Sequence, residues 1–185
     1  GLAVVNIVTP SAPSLLASYT HWFEGRNLAT KPGLAVVTGT RYWNGGSASI
    51  NGLEVLNTTN PASPAISGTL EDATYSFEGV AISGNYAYIA AGSAGVKVVN
   101  LSNPSLPVIV GAYDTSGQAW NVRIVGNLLY VADGTAGLSI LNVSNPNVPT
   151  LVGSLATPTA LRDVAVVGTM AYAVGGGGLH VLDVS

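Results

Sequence analysis

Gly137-Leu-Ser-Ile-Leu-Asn-Val-Ser-Asn-Pro146 decides how this chain is read. It is a short apolar run that opens on Gly and closes on a Ser-Asn-Pro turn. The chain repeats it as Gly52-Leu-Glu-Val-Leu-Asn-Thr-Thr-Asn-Pro61 and Gly95-Val-Lys-Val-Val-Asn-Leu-Ser-Asn-Pro104. A looser copy opens at Gly1, and a truncated one, Gly178-Leu-His-Val-Leu-Asp-Val-Ser185, ends the chain. The glycines at 52, 95, 137 and 178 stand 43, 42 and 41 residues apart, and the first step is 51, so the first unit reads as carrying an irregular insertion, at about residues 21–51.

Between copies lie three further apolar runs. In the third and fourth units they are Pro107–Tyr113 and Pro149–Leu155, Asn121–Gly126 and Asp163–Gly168, and Leu128–Ala132 and Met170–Val174. All are rich in β-branched and aromatic residues and bounded by Gly, Pro or Asn, which are strand and turn signals. Gly84-Asn85, Gly126-Asn127 and Gly168-Thr169 each separate two runs by two residues, and Gly supplies the positive φ such hairpins need. No stretch keeps a 3.6-residue period over ten residues, so almost no helix is expected. Four short strands per 41 to 43 residues predict an all-β β-propeller of four-stranded antiparallel blades. The continuously apolar runs suit blades that pack on both faces. Residues 1–185 read as one propeller domain or part of one. Four periods plus a surplus opening strand cannot close a four-membered ring without competition for one slot. A partial or open ring, or one completed by another chain, is therefore expected, and an open edge must be covered.

The motifs Gly-Leu-x-Val-Leu-Asp-Val-Ser and Asn-Pro-x-x-Pro, with Tyr86–Ala91, Leu128–Asp133, Met170–Gly175 and Leu182–Ser185, resemble the LVIVD-repeat family of β-propellers. The resemblance implies a propeller that is mostly extracellular or at the cell surface, often within larger proteins, and it brings no catalytic motif. The family's Asp in the closing motif is Asn at Asn57, Asn100 and Asn142 and is kept at Asp183, and the stretch from Trp22 to Asn51 matches poorly.

Composition narrows the function. Charged residues make up 8% of the chain, against roughly 25% in an average soluble domain. That suits a compact β protein with a polar, uncharged surface, or one that hides surface in an assembly. The six basic residues are scattered and the net charge is −3, which argues against nucleic acid. No apolar run approaches the length of a spanning helix. Cysteine is absent, which removes disulfides and thiolate chemistry. A chain opening on Gly rather than Met reads as a processed product or a fragment.

No nucleophile elbow, zinc-binding helix or phosphate loop occurs. His180 shares a repeat position with Glu54, Lys97 and Ser139, which reads as solvent-facing, and His21 reads as incidental. Asp133 reads as a turn residue, because its equivalents are Ala91 and Gly175 and no ring of carboxylates results. No metal and no cofactor are expected. Two clusters are candidate surfaces. Trp22, Phe23, Arg26, Arg41, Tyr42 and Trp43 combine the aromatic and Arg content of contact surfaces. Glu78, Trp120, Asn121, Arg162 and Asp163 precede the second run of their units, which in a propeller is the innermost strand, at the mouth of the channel. Asn57, Asn100 and Asn142 stand in glycosylation sequons, although such Asn residues also bond local backbone. The expectation is a non-catalytic extracellular or cell-surface scaffold. Its partners would be proteins or further blades of the same protein, in a homo- or hetero-oligomer. The alternative is a propeller reading a glycan or peptide at the channel mouth, and the third is an enzyme.

Overall fold

The computed structural model describes residues 2–19, 23–43 and 48–185, and contains strands and turns but no helix. Seventeen strands are formed among the described residues. Four antiparallel sheets follow one another along the chain as the blades of a β-propeller. The first comprises β3 (Phe23–Lys31), β4 (Leu34–Trp43), β5 (Ala48–Asn57) and β6 (Ala65–Asp72). The second comprises β7 (Val80–Ser83), β8 (Tyr86–Ala90), β9 (Val96–Asn100) and β10 (Val108–Tyr113). The third comprises β11 (Asn121–Val125), β12 (Leu128–Ala132), β13 (Leu138–Asn142) and β14 (Thr150–Leu155). The fourth has three strands, β15 (Leu161–Val167), β16 (Met170–Gly175) and β17 (Gly178–Asp183). An extra two-stranded sheet pairs β1 (Leu2–Asn6) with β2 (Ser14–Tyr19).

The repeat stretch becomes the third strand of each blade, in β5, β9, β13 and β17. Its copy near the start of the chain becomes β1, whose partner β2 follows a Pro as β10 and β14 do. The surplus copy thus sits in a sheet of its own and does not pair with β16 or β17. The stretch read as an insertion supplies β3 and β4, the hairpin that opens the first blade, and these strands are the longest of their kind.

The turns follow from the residues. Ser83 pairs with Tyr86, Val125 with Leu128 and Val167 with Met170, so two residues close each inner hairpin. Gly126 at the third-blade turn holds φ 58°, a left-handed conformation that a side chain would resist. The Ser-Asn-Pro corner is a pair of side-chain-closed turns. Asn142 Oδ1 accepts from the Ser144 amide and Asn145 Oδ1 from the Asn147 amide, at 2.9 and 3.2 Å. The same bond is made by Asn6, Asn57, Asn100 and Asp183, and Asn or Asp serves equally because only the acceptor oxygen is used.

Sheets touch through β3 and β7, β7 and β11, and β11 and β15, so the first strand of each blade lies innermost. The core is divided into layers between sheets. Leu34, Val36, Leu53 and Val55 of the first blade meet Phe77, Val80, Ala87, Ile89 and Val99 around the second. The second and third meet through Tyr88, Val96, Val98, Val122, Leu129 and Leu141. The third and fourth meet through Tyr130, Leu138, Leu161, Val164, Ala171 and Ala173. The β1–β2 sheet covers the other face of the first blade, where Leu2 and Tyr19 pack on Ala35, Val37 and Leu56. A strand inside this series is buried on both faces, which is why β8 and β12 read as continuously apolar. The fourth blade is buried on one face alone: Ala171 and Ala173 of β16 are covered, and Met170, Tyr172 and Val174 are exposed.

Candidate functional site

The register of the four inner hairpins fixes a row of equivalent residues. Asn27 lies opposite Thr38, Asn121 opposite Ala132 and Asp163 opposite Val174, and Gly79 accepts a backbone bond from Ala90 at the same level. The residues immediately before them are Arg26, Glu78, Trp120 and Arg162. One chemically distinctive side chain per blade therefore stands at the same register on each innermost strand, within β3 for Arg26 and at or just before the strand start in the other blades.

The structure brings these residues together across blade boundaries. Arg26 Nη1 forms an ion pair with Glu78 Oε1 between the first and second blades. The Gly79 amide donates to the Trp120 carbonyl at 3.0 Å between the second and third. The Arg162 guanidinium lies over the Trp120 ring, 3.8 Å from its centroid, between the third and fourth. Asn121 Nδ2 donates to Asp163 Oδ1 at 2.7 Å across the same boundary. Asn121 and Asp163 each also accept from the amide that follows them. Thr38, fully buried, donates its hydroxyl to the Glu78 carbonyl. All five residues expected at the channel mouth lie in this row. Arg26, expected to belong to a separate aromatic surface, joins them.

The rest of that aromatic surface is dispersed. Arg41 pairs with Glu71 at 3.0 Å on the far part of the first blade, and Tyr42 is exposed beside it. Phe23 and Trp43 occupy the ends of β3 and β4. Trp22 and His21 lie outside the described residues.

The column Glu54, Lys97, Ser139 and His180 is not solvent-facing, and this corrects the expectation. Glu54 and Ser139 are buried, and Lys97 and His180 reach Tyr75 and Thr159 on the loops that cross between blades. Lys97 Nζ sits 4.3 Å from the Tyr75 ring centroid. His180 Nε2 and Thr159 Oγ1 are 3.0 Å apart. Ser139 donates to Asp133 Oδ2 at 3.1 Å, and Asp133 Oδ1 accepts from Thr115 at 2.7 Å. Burial raises the Tyr19 pKa, and the charge of nearby Glu54 adds to the rise. Asp133 is thus a fully buried carboxylate, not a simple turn residue. Burial pushes its pKa up, while the Thr115 and Ser139 hydrogen bonds pull it back. Burial likewise pushes Glu54 up to about 7, with Arg41 opposing. No single repeat position marks it in the sequence, because Tyr75, Thr115 and Thr159 stand 23, 20 and 22 residues after Gly52, Gly95 and Gly137.

Chemically, the row along the innermost strands is a chain of paired groups, and the inter-blade column is a set of polar fasteners. Among the described residues, no group of three or more His, Cys, Asp or Glu is placed to hold a metal ion. Asn57, Asn100 and Asn142 each use their side-chain oxygen for the turn described above.

No curated protein matches the chain. Among solved structures, the computationally designed Ika4 protein is similar with TM-score 0.69 and 11% identity, covering 92% of this chain and 98% of its own. The computationally designed Ika8 protein is similar with TM-score 0.58 and 11% identity, over 91% of this chain and 61% of its own. Glutaminyl cyclase of Myxococcus xanthus is similar with TM-score 0.58 and 17% identity, over 85% of this chain and 64% of its own. At these identities the likeness concerns the fold. At the level of sequence, residues 76–115, 116–157 and 160–185 match the LVIVD repeat, one blade after another. These matches take in more than half of the chain and follow the blade register, and the chain belongs to the LVIVD-repeat β-propeller family.

Proposed function

We propose that this chain is a non-catalytic propeller scaffold, extracellular or at the cell surface, that offers rigid β surface to protein partners in a larger assembly. One observation carries the reading. The distinctive side chains next to the innermost strands are engaged with one another across blade boundaries, as Arg26 with Glu78, Trp120 with Arg162, and Asn121 with Asp163. Groups arranged for catalysis converge on a substrate position, whereas these link neighbouring sheets. The extracellular placement rests on the family likeness.

Stability measurements test it. Residues held in a site for function commonly cost stability, so their removal raises the melting temperature. Residues that fasten blades lower it when removed. Arg26→Ala and Arg162→Ala should each lower stability by a few tenths to about 1 kcal/mol, read by denaturant melts. A rise in stability for both would sink the scaffold reading. It would favour the second one, a propeller reading a glycan or peptide at its mouth, which the half-buried Trp120 supports as a stacking platform.

A further inference from the structure

Five of the six basic side chains are engaged. Arg26 and Arg41 pair with Glu78 and Glu71, Lys31 donates to the Gly84 carbonyl at 2.7 Å, Lys97 lies over Tyr75 and Arg162 over Trp120. Arg123 has no such partner among the described residues. It also breaks the repeat. Arg123 lies opposite Tyr130, and the residues at that register on the other innermost strands are Ala29, Ala81 and Ala165. One long cation therefore stands where three blades carry a methyl group. Arg123 lines a cavity of about 350 Å³ between β3, β7 and β11, and among the described residues no acid shares that lining.

The backbone around this cavity offers further donors. β3, β7 and β11 are each an edge strand of their sheet. In an antiparallel pair, hydrogen-bonded and non-hydrogen-bonded residues alternate, and the two residues that close a tight hairpin bond to each other. Lys31, Ser83 and Val125 are closing residues, so Thr30, Ile82 and Ile124 turn their amides away from the second strand. The outward amides of Leu28 and Val122, two residues earlier, agree with this phase, since they donate to the Asn27 and Asn121 side chains at 2.9 and 2.8 Å. Thr30, Ile82 and Ile124 follow Ala or Arg, which supply no such acceptor, and all three line the cavity. Their carbonyls share the same edge, so the charge of Arg123 decides the sign of the ligand. We propose that this cavity binds a carboxylate, held by the Arg123 guanidinium with the amides of Thr30, Ile82 and Ile124 as further donors. A guanidinium matches the two oxygens of a carboxylate with paired N–H groups. One unpaired cation balances one carboxylate, and would leave a phosphate dianion partly uncompensated. The site goes beyond the scaffold reading and does not depend on it.

Amide NMR spectra test this by titration with sodium acetate, with dialanine and with the C-terminal amide of dialanine, at an ionic strength held constant with sodium chloride. Acetate and dialanine should shift the amides of Thr30, Ile82 and Ile124 saturably, and the dialanine amide should not. Arg123→Ala installs the residue that the other three blades carry, so the fold should tolerate it. It should weaken binding at least about tenfold, the loss of one charge-assisted pair. Arg123→Gln, which keeps most of the length and removes the charge, should lose as much and serves as the second variant. Acetate binding as tightly as dialanine identifies a free small carboxylate as the ligand, and tighter binding of dialanine identifies a chain terminus. Absence of a saturable shift with both carboxylates overturns the proposal. So does undiminished binding by a folded Arg123 variant, or inorganic phosphate binding more tightly than acetate.

Discussion

The Arg162 guanidinium lies over Trp120, 3.8 Å from the ring centroid, although the two residues belong to different sheets. Both occupy the position that opens the innermost strand of their blade. The contact therefore bridges the third and fourth blades at the end nearest the axis. A double-mutant cycle with Arg162→Ala and Trp120→Leu should give a coupling of about 0.5–1 kcal/mol. The check is chemical denaturation of the four proteins of the cycle. Coupling within error of zero would mean the contact holds nothing.

Stability should fall as pH rises through the range below neutrality. Burial raises the Glu54 pKa to about 7 from its ordinary 4.5, so the folded chain binds more protons than the unfolded chain between those values. The stabilising contribution is complete below about 4.5 and lost above about 7, a difference of up to about 3 kcal/mol. Asp133, also raised, works in the same direction. Thermal melts of wild type and Glu54→Gln across this window should show a clearly flatter profile for the variant, with the Asp133 part remaining. An unchanged slope would contradict the burial of Glu54.

Gly111 and Gly153 sit at the same point of the fourth strand in neighbouring blades, yet should respond oppositely to alanine. A Cβ on Gly111 would strike the Pro146 carbonyl oxygen and the Asn147 backbone of the next blade's Ser-Asn-Pro corner. A Cβ on Gly153 meets nothing within 4 Å. Gly111→Ala should cost about 1–3 kcal/mol through backbone displacement. Gly153→Ala should fall within about 0.5 kcal/mol of wild type. Equal losses at both positions in urea melts would contradict this packing.

Asp133 holds the Thr115 and Ser139 hydroxyls together at 2.7 and 3.1 Å, fully buried. Asp133→Ala leaves both hydroxyls without their acceptor and should cost about 2–4 kcal/mol. Asp133→Asn keeps an acceptor oxygen, and its amide can donate to the other hydroxyl, so it should cost less than half as much. Differential scanning calorimetry of the two variants decides it. Similar melting temperatures for both would show that the hydroxyls find other partners.

The blade architecture was legible because it depends on local signals repeated at a fixed interval. Gly126 with Asn127 demanded a hairpin, Asn142 and Asn145 demanded corners, and the apolar runs between them were too short for anything but strands. The equivalence of Glu78, Trp120 and Arg162, and of Asn121 and Asp163, was legible for the same reason, since position in a repeat predicts position in a blade. The hairpin β3–β4 was harder to see, because its strands are longer and Gly39 and Arg41 stand where other blades carry Ala or Gly turns. The inter-blade column was misread. Glu54, Lys97, Ser139 and His180 are polar and varied, which resembles a surface. Their burial depends on Tyr19, Tyr75, Thr115 and Thr159, and each of these lies about 20 to 35 residues away along the chain. Sequence periodicity reports which residues are equivalent, but not which loop each one will meet.

That column has a consequence for assembly. A chain built from near-identical units risks docking the right blade in the wrong place, since the apolar layers differ little from one boundary to the next. The fasteners do differ. A carboxyl faces Tyr19, an ammonium group lies over Tyr75, a buried Asp gathers two hydroxyls beside Thr115, and an imidazole meets Thr159. Moving Glu54 or Lys97 to another seam would place its charge against a partner that does not receive it. Each seam thus carries its own label, and these labels put the blades in a single order that their shared hydrophobic pattern could not impose.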